Sequence, residues 1–203
     1  MAEISILHYG IGNTGSILNM LRKLRVDASV VSTPESVLAA KRLLLPGIGA
    51  FDACMGALQQ SGLRDCVPEF AASGRPLLGI CVGMQMLTLG SDEGVIPGLG
   101  LIGAHTRRFA PSPGLRIPHM GWDTVRWLNP EHPLAQGLSG ESRFYFVHSF
   151  RVSCEARANV LALCDYGGEF AAAIVGDNVV GVQFHPEKSH RFGLQLLKNF
   201  SST

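Results

Sequence analysis

The sequence predicts an α/β fold: a mostly parallel central sheet with helices on both faces, extended by antiparallel strands in the C-terminal half. Three observations lead there. The first half alternates short, apolar, β-rich runs with helical patterns, the rhythm of strand–helix–strand units. After about residue 98 the rhythm changes to short strands separated by Gly, Asn, Pro and Asp turns. With 203 residues, 46% of them hydrophobic and 16% charged, the chain is long and apolar enough to bury a core as one domain over 1–203.

Taken in order, "EISILHY" (3–9) reads as a strand and "SILNMLRKL" (16–24) as a helix with Ile17, Leu18, Leu21 and Leu24 on one face. "ASVVST" (28–33) is a second strand, "PESVLAA" (34–40) a short helix and "KRLLLPG" (41–47) a third strand. Helices are expected at about 51–60 and 63–73, the latter closed by Gly74. "RPLLGIC" (75–81) is a fourth strand that runs into a helix after Cys81. Four near-continuous apolar strands of this kind suit a parallel sheet covered on both faces. Farther on, "LGLIGAHTRRF", "RFYFVHSFRV", "NVLALCDY", "EFAAAIVGDN" and "VVGVQFH" read as strands, with Asp177-Asn178 as a hairpin turn. "RFGLQLLKNF" (191–200) is a final helix.

A formal net charge of +1 gives no electrostatic reason to expect nucleic acid or an anionic membrane. Apolar runs such as "RLLLPGIGAF" are broken far short of a membrane span, and "MAEISILHYG" lacks the basic start and long apolar stretch of a signal peptide. The five cysteines show no CxxC pair and no zinc-like spacing, which suits reduced thiols in a cytoplasmic protein.

Three strands end unusually, and in an open parallel sheet reactive groups collect at the carboxyl ends of strands. "GICVG" (79–83) has the form Gly-x-nucleophile-x-Gly at a strand-to-helix turn. A helix starting at Val82 would lower the thiol pKa of Cys81 and offer the Val82 N–H to an oxyanion. The same cysteine also reads as a small core hydrophobe, and the residues alone leave both open. In "GVQFHPEKS" (181–189), strand alternation is expected to put His185 and Glu187 on one side, as a base with its orienting acid, or as a plain surface pair. "LLLPGIGAF" (43–51) ends in a turn whose N–H groups near Ile48 and Gly49 offer a second oxyanion donor, or simply a loop. His148 follows an aromatic strand and reads as packing; His8, His105, His132 and His190 share no spacing. No metal site and no cofactor is expected.

In order and spacing, "PGIGAF", "GICVGMQ" and "QFHPEKS" resemble the three signatures of the triad-type (class I) glutamine amidotransferases. "YGIGN" (9–13), "IPHMGW" (117–122), "FYFVHSF" (144–150) and "GLQLLKNF" (193–200) are similar to the glutaminase subunits of imidazole glycerol phosphate synthases, so that the likeness runs from about residue 4 to residue 200. The resemblance implies the flavodoxin-like fold of that family. It implies a nucleophile at Cys81, a base at His185 and an orienting acid at Glu187. Oxyanion donors would be the backbone at Val82 and, after a peptide rearrangement, Ile48. Gly49, Gln85, His148, Ser149 and Phe150 would hold L-glutamine; Gln85, four residues after Cys81, would return its amide to the pocket in one helical turn. Asn13, Trp122 and Lys188 would face a (β/α)8-barrel cyclase in a heterodimer, which would use the ammonia to make imidazole glycerol phosphate and an aminoimidazole carboxamide ribotide.

The sequence departs from that pattern at His8, where Asp is common, at Thr14-Gly15-Ser16, at Asp123, where Asn is usual, and at Phe150, where Tyr is common. None touches the triad; those near 8–16 and 120–123 bear on the acceptor, since related glutaminases supply ammonia for amidation of a surface-polysaccharide sugar. Two readings of other classes remain: a stand-alone cysteine hydrolase on a related fold, and a catalytically silent binding subunit.

Overall fold

The computed structural model describes residues 3–111, 113–138 and 140–203. Its main sheet has a parallel half and an antiparallel half. The parallel half runs β2(Ala28–Val31), β1(Ile4–Leu7), β3(Leu43–Gly47), β4(Leu77–Cys81) and β12(Val179–Val182). Beyond β12 the sheet continues antiparallel through β11(Glu169–Gly176), β10(Val160–Asp165) and β7(Arg126–Trp127). Strand β9(Phe150–Cys154) pairs with β11 and with β5(Ala104–Arg108). A separate ribbon joins β6(His119–Thr124) to β8(Arg143–His148).

The composition of each strand accounts for its place. β1, β3 and β4 are buried along their whole length, as strands covered on both faces must be, whereas the edge strand β2 is mostly part-exposed. Helices α1(Thr14–Lys23), α2(Pro34–Leu38), α3(Phe51–Gln60) and α4(Cys66–Ala72) cover the parallel half, and α6(His190–Ser201) closes the chain. Local chemistry sets the helix starts. The Asn13 side chain accepts the Ser16 N–H at the head of α1, and Thr33 with Ser36 forms a reciprocal capping box before Pro34 in α2. Gly74, at φ +76°, follows α4 in the left-handed conformation expected of it. The β11–β12 hairpin turns at Asp177-Asn178, as its sequence indicated.

Two expectations need correction. "RFYFVHSFRV" is not one strand: the chain breaks at Ser149, so that β8 pairs with β6 and β9 with β5 and β11. No strand is expected over "IPHMGWDT", yet His119–Thr124 forms β6; its glycine and its outward-facing Met120 and Trp122 depart from the usual polar-out alternation, and only the pairing with β8 defines it. The helix after Cys81, α5(Val82–Met86), is a single short piece.

Register determines what the sheet presents at its carboxyl edge. Gly47 of β3 lies opposite Cys81 of β4, and Ile80 of β4 lies opposite Val182 of β12. The Pro-Gly-Ile-Gly turn and the segment after Val182 therefore flank Cys81 from its two neighbouring strands.

Candidate active site

Cys81 is the last residue of β4 and the residue before α5, with φ 54° and ψ −111°. A non-glycine residue held there is strained by about 1–3 kcal/mol, a conformation that persists only where the surroundings enforce it. The enforcement is visible at Gly83. A Cβ there would overlap the carbonyl oxygen of Leu45, and one at Gly79 would come 2.7 Å from the Gly83 oxygen. Without side chains at these two positions, α5 sits directly on the ends of β3 and β4 and the thiol stands in the crook between them.

His185 and Glu187 meet, but not by strand alternation. β12 stops at Val182, His185 is extended, and Pro186–Lys188 is a single 3-10 turn that folds Glu187 back. His185 Nδ1 lies 2.8 Å from Glu187 Oε1, both side chains almost fully buried. Strand β8 holds this segment. The His185 N–H donates to the Tyr145 carbonyl at 2.9 Å, and the Ser189 hydroxyl accepts the Tyr145 N–H and donates to the His185 carbonyl. With Nδ1 committed to Glu187, the ring's other nitrogen is left for the Cys81 thiol, which lies close enough to act on the imidazole. Burial works against a charge on His185, but the hydrogen bonds and charges of Cys81 and Glu187 outweigh it and push its pKa up to about 10. His185 therefore carries its proton across the neutral range.

The Pro-Gly-Ile-Gly turn is tied from beneath. The Tyr9 hydroxyl donates to the Pro46 carbonyl at 2.7 Å, and the Cys54 thiol to the Ile48 carbonyl at 3.2 Å. Gly49 takes φ +84°, which few residues other than glycine adopt. These carbonyls are thereby engaged by the core.

Ile48, Gly49, Cys81, Val82, Gln85, His148, Ser149, Phe150 and His185 all line one cavity of about 410 Å³, together with Glu93 and Lys188. The residues expected to hold substrate are thus gathered around the thiol. His148 does more than pack: one ring nitrogen lies 2.7 Å from the Phe150 carbonyl, and burial pushes its pKa down to about 3, so it is neutral. Trp122 and Lys188 converge on Tyr145, at a 6.0 Å ring separation and 5.6 Å from ammonium to ring, and Trp122 stacks on His190. Asn13 stands apart from that pair, at the head of α1, the helix that packs on the Pro186–Lys188 turn.

Two participants escaped sequence reasoning. Gln183, fully buried, accepts the Gln85 amide N–H at 3.1 Å and points its own amide nitrogen at Cys81 Sγ, 3.7 Å away. Gln85 consequently reaches the site through Gln183 as well as by helical spacing. Glu93 accepts the Phe51 N–H at 2.9 Å, which fixes a carboxylate at the cavity wall. Neither carries a local signal, because each is brought in by pairing across the chain. Among the described residues no group of three or more His, Cys, Asp or Glu side chains is arranged to hold a metal, and no helix is long and apolar enough to cross a membrane.

A family model described as glutamine amidotransferase class-I matches residues 5–202. The chain is 47% identical over 198 residues to a Methanococcus maripaludis protein named imidazole glycerol phosphate synthase subunit HisH 2, covering 97% of this chain and 98% of that one. It is 46% identical over 202 residues to a protein named imidazole glycerol phosphate synthase subunit HisH from Bdellovibrio bacteriovorus, covering 98% of each. A solved structure described as a glutamine amidotransferase superposes with a TM-score of 0.75 at 20% identity, covering 98% of this chain and 99% of that one.

Proposed function

This chain belongs to the class-I glutamine amidotransferase family, and from that premise we propose that it is the glutaminase subunit of an imidazole glycerol phosphate synthase. In this role it releases ammonia from L-glutamine for a (β/α)8-barrel cyclase subunit in histidine biosynthesis. One observation carries the chemistry: the register of β3, β4 and β12 sets a strained cysteine between a turn with engaged carbonyls and a buried His–Glu pair.

The Cys81 thiolate attacks the side-chain amide carbon of glutamine. The oxygen that becomes negative is received by the N–H groups of Val82 and, after rearrangement of the turn, Ile48. As the C–N bond breaks, His185 gives its proton to the departing nitrogen, and ammonia leaves. Water then attacks the glutamyl thioester, His185 takes a proton from it, and glutamate departs with the thiolate restored. His185 enters the cycle already protonated, and so acts first as an acid. Gln183 steadies the thiolate by donating to it, and Glu187 fixes the imidazole and balances its charge. Ammonia passed straight to a bound partner escapes the protonation in water that would remove its lone pair; Trp122, Lys188 and Asn13 belong to the face on which that partner sits.

Among the described residues, Glu93 is the one carboxylate lining the cavity outside the triad, and it suits the α-ammonium of glutamine. Glu93→Gln keeps an acceptor for the Phe51 N–H and removes the charge. Its KM for glutamine is expected to rise roughly tenfold or more, with kcat changed much less; steady-state glutaminase kinetics check this.

A second expectation concerns pH. A raised pKa means that the folded chain holds the His185 proton more tightly than the unfolded chain. The stabilisation is complete below the ordinary 6.5 and is lost as pH rises through about 10. Both kcat and thermal stability should fall on that alkaline limb, and Glu187→Gln should move the limb to lower pH.

The reading is tested by glutamate release with each of two partners. A histidine-pathway cyclase with its ribonucleotide substrate should activate the chain strongly. A sugar-amidating synthase subunit should not, and activation by that subunit alone would assign the ammonia to the sugar.

A further inference from the structure

Behind the pocket, a chain of hydrogen bonds runs from β6 to the glutamine-binding segment. Asp123 Oδ2 lies 3.1 Å from His119 Nε2, His119 Nδ1 lies 3.1 Å from His148 Nε2, and His148 Nδ1 lies 2.7 Å from the Phe150 carbonyl. Its protons can be counted from the fixed end. A carbonyl only accepts, so His148 carries hydrogen on Nδ1 and, being neutral, offers a lone pair at Nε2. His119 must then donate from Nδ1. The remaining contact, His119 Nε2 with a carboxylate, also needs a proton. Three bonds require three protons, and two neutral imidazoles supply two.

We propose that Asp123 and His119 are positioning residues that share this third proton, and that with it they lock His148 in the tautomer that anchors Phe150 at the glutamine pocket. When the proton leaves, the carboxylate must accept from His119 Nε2, which turns His119 Nδ1 into an acceptor. His148 must then donate from Nε2, and its Nδ1 lone pair confronts the Phe150 carbonyl. The anchor is lost while the triad is untouched.

The surroundings confine the exchange to these groups. His119 is stacked between Phe146 and Tyr166, with centroids at 4.7 and 3.9 Å, and the Tyr166 hydroxyl is spent on the Arg116 carbonyl. From β11, Phe170 presents only a ring edge. From β10, Cys164 faces Asp123 as a neutral thiol, its pKa pushed up to about 12 by burial and by Asp123 and Asp165. His148 feels protonated His185 on one side, and on the other Phe109, over which the Arg151 guanidinium lies. Burial and the positive charge of His185 oppose a charge on His148, so the extra proton is left to the His119–Asp123 contact.

The consequence for glutamine rests on the proposed function, but the proton chain itself is tested without it. In the full-length chain with nitrogen-15-labelled histidines, NMR reports each ring's tautomer. The wild type should hold His148 as Nδ1–H at mildly acidic pH and convert to Nε2–H at alkaline pH. Asp123→Asn, whose amide donates to His119 Nε2 without a titrating proton, should stay Nδ1–H throughout. In the complex with the cyclase, KM for glutamine should rise about fivefold with pH in the wild type. It should follow pH no further than the triad does in Asp123→Asn, and likewise in Asp123→Ala, where two contacts remain and two neutral imidazoles supply both protons. Nε2–H His148 at acidic pH, or identical tautomer titrations in wild type and Asp123→Asn, would overturn the proposal. If the tautomers behave as stated and no glutamine is consumed, the glutaminase reading fails and the proton chain stands.

Discussion

Cys81→Ala is expected to abolish glutamate formation by the complex, a loss of about 10⁴-fold or more, while the fold survives. The loss is total in kind because no neighbour can replace the sulfur. Cys54, the next thiol toward the site, is fully buried beneath the turn with its pKa raised by burial, and its proton is engaged by the Ile48 carbonyl. The fold survives because alanine removes one atom from a residue whose strained backbone is imposed by its neighbours. The expected cost in stability is within about 1–2 kcal/mol. Cys81→Ser should be nearly as inactive, since a hydroxyl ionises far less readily than a thiol and a site built around a thiolate receives almost no alkoxide from it. Glutamate release in the complex, measured beside a thermal melt, separates the two effects. Appreciable turnover by Cys81→Ala would remove the nucleophile from the account.

Gly83→Ala is expected to produce the largest loss of stability of any single-methyl change in the elbow. The added Cβ would overlap the Leu45 carbonyl oxygen and approach the Leu45 and Pro46 carbonyl carbons at 3.0 and 3.3 Å. All three are backbone atoms of a central strand, so no side chain can swing aside, and either α5 or β3 must move. Overpacking of this kind costs about 3 kcal/mol, or a fall in Tm of roughly 6–12 °C for a chain of this length. Moving α5 also displaces Cys81, Gln85 and the Gln85–Gln183 bond, so kcat should fall with stability. Gly15→Ala is the control: it lies within α1, with nothing near its Cβ position, and should stabilise by up to about 1 kcal/mol.

The two substitutions also mark what could be read from sequence and what could not. The parallel half was legible because β1, β3 and β4 are buried end to end, and such strands must be written in continuous apolar residues. The elbow at Cys81 was legible because a strained turn under a packed helix demands small neighbours. β6 was not, because half of it faces outward and its identity as a strand comes from β8. His185 and Glu187 were correctly paired for the wrong reason, since a 3-10 turn brings them together. Their meeting with Cys81 depends on the parallel pairing of β12 with β4, across a hundred residues of intervening chain that no local pattern spans. Gln183, Glu93, His119 and Asp123 fall in the same class: polar residues whose partners are distant, and whose roles follow from hydrogen bonds alone.

The central claim is that one thiol of five is an activated nucleophile in a glutamine-shaped pocket. Burial pushes the Cys54 and Cys66 thiols up, and those of Cys154 and Cys164 up to about 11 and about 12. The most direct measurement is the mass of the chain, bound to its cyclase, after exposure to a glutamine analogue with an electrophile at the side-chain carbonyl position. The expected result is one adduct per chain, on the peptide containing Cys81, suppressed by excess L-glutamine. An adduct on any other cysteine, or labelling of Cys81 that L-glutamine does not slow, would contradict it.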